Sequence, residues 1–287
     1  MFTLHNGDCL TVLPSIPSGS IDAIITDLPY GTTQNAWDEV IPLVDMWREV
    51  KRVLKPSGAF ITTSNQPFTS ILICSNLEWF KWDDVWMKDK ATGHLNAEVM
   101  PMRKHESILV FGEGRITYNP QITPKPKENI RPISRRAPTD SYGKYNETAE
   151  RNIPLNMSYP SSIVYCHTTN HGERGLHPTQ KPIDLYRYLI RTYTNEGETV
   201  LDFTMGSGTT IEAAEIEGRN SIGIEKEIGY FQIAEKRAKS AVLQQRLFTP
   251  SNNRLHWTGG ESPAQPSQST LEGFTAPEAD TTPPASQ

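Results

Sequence analysis

The sequence lacks long apolar runs, a secretory start and paired cysteines. No stretch approaches the roughly 18 to 20 consecutive apolar residues that a membrane-spanning helix needs. Residues 1–8 contain neither a basic start nor an apolar run, which disfavours a signal peptide. The three cysteines, Cys9, Cys74 and Cys166, lie far apart and have no metal-ligand spacing. We therefore expect a cytoplasmic protein with reduced thiols, no membrane partner and no structural metal.

Basic residues are fewer than acidic ones, 28 against 33, so the formal net charge is −5. Nine basic and four acidic side chains nevertheless lie between residues 100 and 144, so that segment carries +5 and the rest of the chain −10. A locally basic region on an acidic body suits contact with a nucleic-acid backbone, where each neutralised phosphate releases a counterion. The alternative interpretation is a solvated, flexible loop.

Short apolar runs alternate with helical patterns along most of the chain. Residues 55–58, Lys-Pro-Ser-Gly, are expected to close the helix before them. The alternation predicts an α/β fold with a mostly parallel sheet covered on both faces, and 287 residues suffice for one such domain plus an inserted module. Strands are predicted at 21–26, 59–63, 84–88, 107–111, 163–165, 199–203 and 220–225, and helices at 42–54, 67–76, 182–193, 209–217 and 228–247.

Two segments depart from this alternation. Between residues 112 and 159, Pro, Gly, Asn and charged residues dominate, over a length that exceeds an ordinary connection and indicates a functional insertion. After Pro250 the composition turns to Ser, Thr, Pro, Gln and Gly with almost no aliphatic residues. Such a segment cannot bury enough surface to offset its ordering entropy, so we predict a disordered tail.

A glycine-rich turn follows the strand that ends near Asp202. Gly206 and Gly208 let a ligand approach the backbone closely, and the next helix offers unpaired N–H groups at its N-terminus. The turn departs from a dinucleotide fingerprint because Ile211 replaces the third glycine, and the sequence has no Gly-Lys-Ser/Thr phosphate loop. Glu225 ends the following strand, where a carboxylate accepts hydrogen bonds from ribose hydroxyls. Alternatively, Glu225 is an acid that favours the dipole of the helix after it.

Asp27, Leu28, Pro29 and Tyr30 follow a different predicted strand. The amino nitrogen of a nucleobase is a poor nucleophile because its lone pair is delocalised into the ring. A carboxylate and a carbonyl that accept its two hydrogens would localise that lone pair and stabilise the developing positive charge. Asp27 and the Leu28 carbonyl suit these roles, and Tyr30 offers a ring on which an extruded base stacks. On its own, the tetrapeptide is more typical of an ordinary strand-to-loop turn.

Four motifs together resemble the β-class DNA amino-methyltransferases of bacteria and phages, in which the catalytic motif precedes the cofactor motif. Residues 27–30 match that family's Asp-Pro-Pro-Tyr, and residues 202–210 match its Asp-Pro-Phe-x-Gly-Ser-Gly-Thr-Thr. Residues 175–182, Gly-Leu-His-Pro-Thr-Gln-Lys-Pro, match the signature before the cofactor strand, and residues 6–9 resemble the N-terminal Gly-Asp. The resemblance covers roughly residues 3–246, and its motif order is specific.

The match to the family has two departures. Leu28 replaces the first proline of the catalytic motif, which keeps the backbone carbonyl but removes some rigidity of the loop. Phe203 and Thr204 stand where the family usually has Pro and Phe, so an aromatic contact with the cofactor is shifted or missing. Neither change removes a group that the chemistry needs.

The resemblance implies a role for each matched position. Asp27, Leu28, Pro29 and Tyr30 would be the catalytic residues that hold the target base. Thr179 and Lys181 would contact the methionine carboxylate of the cofactor or order the loop above it, and no metal ligands are implied. The cofactor would be S-adenosylmethionine, bound by Asp8, Cys9, Thr179, Lys181, Asp202, Phe203, Gly206, Gly208, Thr209 and Glu225.

The implied architecture is a Rossmann-like class I methyltransferase fold with a circularly permuted motif order. Residues 1–111 would form the catalytic half, 112–162 an inserted target-recognition segment, 163–248 the cofactor-binding half and 249–287 the disordered tail. Basic and aromatic residues of the insertion suit contacts with phosphates and with guanine. They are Arg115, Tyr118, Arg131, Arg135, Arg136, Tyr142 and Tyr145.

The implied reaction is site-specific methyl transfer to adenine N6 of a base flipped out of double-stranded DNA. Direct in-line transfer needs no metal and no covalent intermediate, and catalysis would come mainly from positioning and electrostatics. Asp rather than Ser at position 27 favours adenine, and cytosine N4 methylation on the same scaffold is the closest alternative. An NAD-dependent oxidoreductase and a non-catalytic DNA-binding module are more distant alternatives. Relatives in this class are often dimers, so a homodimer is also expected.

Overall fold

The computed structural model describes residues 1–31, 38–130, 153–168 and 180–247. Its strands are β1 (Phe2–Asn6), β2 (Ile21–Thr26), β3 (Leu54–Ser64), β4 (Phe80–Thr92), β5 (Arg103–Phe111), β6 (Thr123–Pro124), β7 (Met157–Ser158), β8 (Ile163–Tyr165), β9 (Thr199–Asp202) and β10 (Asn220–Glu225). Its α-helices are α1 (Cys9–Val12), α2 (Leu43–Val53), α3 (Phe68–Ser75), α4 (Ile183–Tyr193), α5 (Thr209–Ile216) and α6 (Ile228–Leu247). Short 3-10 helices span Leu13–Ser15, His94–Asn96 and Lys127–Asn129.

Within the described ranges, eight strands form one sheet in the order β1-β10-β9-β2-β3-β5-β4-β8. Neighbouring strands from β1 to β3 are parallel, β5 runs antiparallel to both β3 and β4, and β8 is parallel to β4. The predicted mostly parallel α/β sheet is therefore confirmed. The remaining two strands, β6 and β7, pair with each other outside it.

The central strand β2 is buried along its whole length, as expected for a parallel strand covered on both faces. Its side chains alternate between two cores. Ile24 packs in a cluster with residues of α2 and α3, and Ile25 packs in a second cluster with residues of α4 and α5. Helix α2 forms because Met46, Trp47, Val50 and Val53 recur at helical spacing, which puts them on the face that the sheet buries.

Most predicted elements are confirmed within a few residues, but two predictions need correction. The segment 55–58 does not close a helix: α2 ends at Val53, and β3 begins at once with Leu54, which pairs with Ile21. Pro56 is tolerated there because the β2–β3 ladder shifts register between Ile21 and Ala23. The sequence interpretation also missed β1, which forms by pairing with β10 at the sheet edge.

The connections out of β9 and β2 leave in opposite directions, and this creates a crevice. From β9 the chain passes through α5 to β10 on one side, whereas from β2 it passes through α2 to β3 on the other. The carboxyl ends of the two strands are therefore the place where an open α/β sheet binds ligands. Asp202 ends β9, and Asp27 directly follows β2.

The strands of the main sheet end at Phe111 and resume at Ile163, and the residues described between them include the β6–β7 pair. The division into two functional halves and an insertion stays a prediction. The tail, 249–287, lies outside the described residues. No helix in the described part of the chain is both long and apolar enough to cross a membrane.

Candidate active site

A cavity of about 1310 Å³ lies at the carboxyl ends of the parallel strands. Its wall includes the segment after β2, the turn after β9, the end of β10 and the segment after β1. Of the fourteen residues predicted from the sequence to form the site, twelve line this one cavity, so the fold brings together motifs that are far apart in the chain. They are Asp8, Cys9, Asp27, Leu28, Pro29, Tyr30, Lys181, Asp202, Phe203, Gly206, Thr209 and Glu225.

The Asp27 carboxylate is held by three side chains. Its Oδ1 atom accepts hydrogen bonds from the Tyr30 hydroxyl at 2.6 Å and from the Thr63 hydroxyl. Its Oδ2 atom accepts one from the Lys181 ammonium at 2.7 Å. The carboxylate is therefore fixed in orientation, which is what a residue that stabilises a developing charge requires.

The other residues of the catalytic motif have distinct environments. The Leu28 side chain is buried in the core, which anchors the loop that carries its carbonyl. The Tyr30 ring stacks on Phe68, with ring centroids 5.5 Å apart, while its hydroxyl donates to Asp27. Burial, followed by the charge of Asp27, raises the Tyr30 pKa well above its usual value, so Tyr30 is a hydrogen-bond donor in this arrangement.

Lys181 belongs to a chain of buried charges that the sequence interpretation missed. Its ammonium lies 2.7 Å from Asp27 Oδ2 and 3.3 Å from Glu106 Oε2, and Glu106 in turn pairs with Lys88. All four side chains line the cavity. Lys88 and Glu106 lie on paired strands β4 and β5, where polar residues look like solvent-facing positions in the sequence. Only the register of the strands and the distant position of Lys181 reveal the cluster.

Neighbouring charges shift the pKa values of Glu106 and Lys181. Burial alone would raise the pKa of Glu106, but Lys181 and Lys88 lower it below its ordinary value. Burial alone would lower the pKa of Lys181, but Asp27 and Glu106 raise it. Lys181 is therefore a charged lysine at the Asp27 carboxylate, and its predicted contact with the cofactor stays a prediction.

Glu225 organises the opposite wall of the cavity. Its Oε2 atom accepts a hydrogen bond from the Gly206 N–H at 2.9 Å, and its Oε1 atom accepts one from the Glu227 N–H at 2.7 Å. Burial raises its pKa above the ordinary value. Each carboxylate oxygen has a second lone pair, so Glu225 retains acceptor capacity for hydroxyl groups of a ligand.

The segment after β1 lies beside Glu225. Asn6 and Gly7 donate hydrogen bonds to the Glu225 carbonyl at 2.8 and 3.0 Å, which places Asp8 and Cys9 on the same wall. Asp8 caps helix α1 by accepting from the Leu10 N–H at 3.0 Å. The predicted N-terminal part of the site is therefore next to the glycine-rich turn in space.

Asp202 connects the two motifs. It is 2% exposed and accepts hydrogen bonds from the hydroxyls of Thr26 and Thr210, and burial raises its pKa to about 6. Thr204 donates its N–H to Asp202 and its hydroxyl to the Asp27 carbonyl at 3.1 Å. One of the two departures from the family motif thus supplies a hydroxyl that ties the glycine-rich turn to the catalytic loop.

Two of the predicted cofactor residues, Phe203 and Gly208, pack against other parts of the protein. The Phe203 ring is 1% exposed and stacks on Phe60 in the core, with centroids 6.3 Å apart. Gly208 does not line the cavity, and its N–H bonds to the Met205 carbonyl at 2.8 Å. A Cβ atom at Gly208 would lie 2.7 Å from that of Ala234, so this glycine allows α5 and α6 to pack closely. The geometry therefore gives Gly208 a packing role, and its predicted contact with the cofactor stays a prediction.

Several predicted residues lie outside the described ranges, so their positions are not part of this structure. They are Thr179 and, from the predicted insertion, Arg131, Arg135, Arg136, Tyr142 and Tyr145. Arg115, Lys125 and Lys127 of that segment are described and do not line the cavity. Within the described ranges, no group of three His, Cys, Asp or Glu side chains is placed to hold a metal ion.

Cys9 provides a test of the cavity wall. Burial raises its pKa from 9.0 to about 11, which corresponds to a roughly hundredfold smaller thiolate fraction at pH 8. We expect iodoacetamide to label Cys9 in the native protein about a hundredfold more slowly than in the urea-unfolded chain. Peptide mass spectrometry measures both rates, and the exposed Cys74 serves as the internal control. Equal labelling rates for Cys9 and Cys74 in the native protein would show that Cys9 is not buried in the cavity wall.

Comparisons with known proteins show the family of the chain. The DNA methylase family model, N6_N4_Mtase, matches residues 21–236. The chain is 30% identical to the type II methyltransferase M.HpaI of Haemophilus parainfluenzae, over 81% of this chain and 73% of the relative. It is 31% identical to the DNA adenine methyltransferase YhdJ of Escherichia coli K12, over 82% of each chain.

Solved structures agree on the fold. The complex of M1.HpyAVI with SAM has a TM-score of 0.56 at 24% identity, covering 83% of this chain and 100% of that one. The cytosine-N4-specific PvuII DNA methyltransferase has a TM-score of 0.61 at 15% identity, covering 86% and 92%. Because both identities are low, these two likenesses concern the fold alone.

Proposed function

The chain belongs to the DNA methylase family, and we propose on that premise that it transfers a methyl group from S-adenosylmethionine to N6 of adenine in double-stranded DNA. The observation that carries this proposal is the position of Asp27. Its fixed carboxylate follows β2, in the same cavity as the glycine-rich turn and Glu225 across the crevice. Family membership leaves the oxidoreductase and the non-catalytic module without support.

The cavity wall around Glu225 fits the proposed cofactor. Glu225 and Asp8 present carboxylates at the ends of neighbouring strands, which suits the hydroxyls of a ribose and the amino group of an adenine. The Gly206 turn, braced by Glu225, brings backbone close to the cavity without a side chain. When bound there, S-adenosylmethionine supplies the activated methyl group.

The residues around Asp27 suit the binding of the target amino group, which is the nucleophile of the reaction. Asp27 would accept one hydrogen of the target amino group and the Leu28 carbonyl the other, so that the nitrogen lone pair is localised and aimed at the methyl donor. Tyr30, Thr63 and Lys181 hold Asp27 in place before the base arrives. Such preorganised acceptors stabilise the positive charge that develops on nitrogen without a further reorganisation of the protein.

Adenine is favoured over cytosine by two considerations. Position 27 is Asp rather than Ser, and the curated relative YhdJ is named a DNA adenine methyltransferase. Cytosine N4 is the alternative outcome, because the PvuII enzyme has the same fold. Since the substrate is DNA, we place the reaction in the cytoplasm with the genome; the homodimer stays a prediction from the sequence.

Sequencing with modified-base detection tests this function. The protein would be expressed in bacteria that lack endogenous DNA methylation, with an empty vector as the control. We expect methylated adenines confined to one short recognition sequence, and only in cells that express the protein. A methylome identical to that of the control cells would contradict the proposal.

A further inference from the structure

Lys181 is unusual because it is a buried ammonium in the wall of the cavity. Its side chain is about nine-tenths buried, and it lies between two carboxylates, Asp27 and Glu106. An ammonium has three N–H donors. Asp27 accepts a hydrogen bond from one of them, and Glu106 faces the ammonium at 3.3 Å as an ion-pair partner. Lys181 also lines the cavity, where the third N–H can meet a ligand.

The lone pairs of Asp27 determine where a target amino group binds. A carboxylate has about four acceptor positions, two on each oxygen. Tyr30 and Thr63 use both positions on Oδ1, whereas Lys181 uses one on Oδ2. The remaining position is therefore on Oδ2, the same oxygen that Lys181 contacts. An amino group bound there is a direct neighbour of the Lys181 ammonium.

In adenine, the ring nitrogen N1 is attached to the same carbon as the N6 amino group; in cytosine, N3 stands in the same relation to N4. An amino group on Asp27 Oδ2 therefore brings an acceptor nitrogen next to a lysine that has a donor to offer. Asp27 and Lys181 together present an acceptor beside a donor, the arrangement that thymine presents to adenine and guanine to cytosine in a base pair.

We propose that Lys181 is a specificity-determining residue that donates its third N–H to the ring nitrogen beside the target amino group. This inference rests on the proposed methylation of an amino group. Guanine and thymine carry a carbonyl and a ring N–H at the corresponding positions, so they would set oxygen against Asp27 and N–H against Lys181. The pair therefore selects amino bases over keto bases, which adds a chemical filter to the choice of target.

Glu106 and Lys88 offset the electrostatic cost of burying the Lys181 ammonium. Glu106 pairs with Lys181 on one oxygen and with Lys88 on the other, so the four-residue cluster is formally neutral. The ammonium is thereby held at a fixed point rather than on a free four-carbon chain. A donor that is already oriented loses little entropy when a base arrives.

The test combines a substrate analogue that lacks the ring nitrogen N1 with a protein variant that lacks the Lys181 ammonium. Duplexes containing the recognition sequence would carry adenine, 1-deazaadenine or 7-deazaadenine at the target position. The first analogue keeps the amino group and lacks N1, whereas the second keeps both. Single-turnover methylation would be measured for the wild type, for Lys181→Met and for the exposed-surface control Lys239→Met.

We expect the wild type and Lys239→Met to methylate 1-deazaadenine at least about tenfold more slowly than 7-deazaadenine, because a site built to bond an acceptor penalises its loss. Lys181→Met should be slow on all three substrates, and its ratio between the two analogues should be at least about fivefold smaller than that of the wild type. Intrinsic differences in reactivity between the two analogues cancel when this ratio is compared between the variant and the wild type.

Two results would overturn the inference. One is an unchanged ratio between the analogues in Lys181→Met, which would leave Lys181 only the orientation of Asp27. The other is equal wild-type rates on 1-deazaadenine and 7-deazaadenine, which decides the matter even if the variant fails to fold. Failure of the proposed function itself looks different, because the wild type would then methylate none of the duplexes, including the one with ordinary adenine.

Discussion

Asp27→Ala is expected to lower the rate of methyl transfer by about a thousandfold or more, while S-adenosylmethionine binds with an affinity within about threefold of the wild type. The change removes the carboxylate that accepts the target amino hydrogen, and it also releases the Tyr30, Thr63 and Lys181 donors that converge on it. The cofactor wall, built around Glu225 and Gly206, does not depend on that carboxylate.

The measurement pairs single-turnover methylation with calorimetric titration of the cofactor. Asp27→Asn is the informative intermediate, because it keeps an acceptor oxygen and removes the charge; we expect it to retain more activity than Asp27→Ala. Asp45→Ala, on the exposed surface of α2, is the control and should be as active as the wild type. Asp27→Ala activity within tenfold of the wild type would remove Asp27 from the chemistry.

Gly208→Ala is expected to destabilise the protein by about 2–4 kcal/mol, because two separate penalties add. The residue has φ +82°, which only glycine adopts without strain, and a Cβ atom there would lie 2.7 Å from the Ala234 Cβ and 2.9 Å from its Cα. Since the second contact is with backbone, α6 would have to move away from α5. The shift would also disturb the turn at Gly206 that Glu225 braces.

Thermal unfolding measures this effect, with an expected fall in Tm of roughly 5–15 °C. Gly229→Ala is the matched control, since Gly229 lies in α6 and an added Cβ would meet nothing within 4 Å. That variant should be as stable as the wild type or slightly more stable, because alanine favours the helix. Equal melting temperatures for Gly208→Ala and the wild type would refute the packing role.

The sequence predicts those parts of the site that depend on local patterns. A buried apolar run followed by a turn is visible in a short window, and it predicts that Asp27 and Asp202 lie at strand ends. The resemblance to the family, through the order of the motifs along the chain, then predicts which motif is catalytic and which binds the cofactor. The structure confirms that both motifs lie in one cavity.

Features that depend on pairing between distant segments were not predictable in this way. Strand β1 exists because it pairs with β10, and Glu106 is buried because β4 and Lys181 meet it from different parts of the chain. The packing role of Gly208 was not visible because it depends on Ala234, which lies on another helix. In each case the decisive neighbour is remote in sequence, so no local pattern records it.

Analysis of the product nucleoside tests the central claim most directly. Purified wild type and Asp27→Ala would be incubated with unmethylated DNA and S-adenosylmethionine carrying an isotopic methyl label, and the DNA would be digested for mass spectrometry. We predict label in N6-methyldeoxyadenosine with the wild type and, over the same time, about a thousandfold less or none with Asp27→Ala. Label found only in N4-methyldeoxycytidine would contradict the choice of adenine. The absence of any label in DNA incubated with the wild-type protein would contradict the methylation of DNA itself.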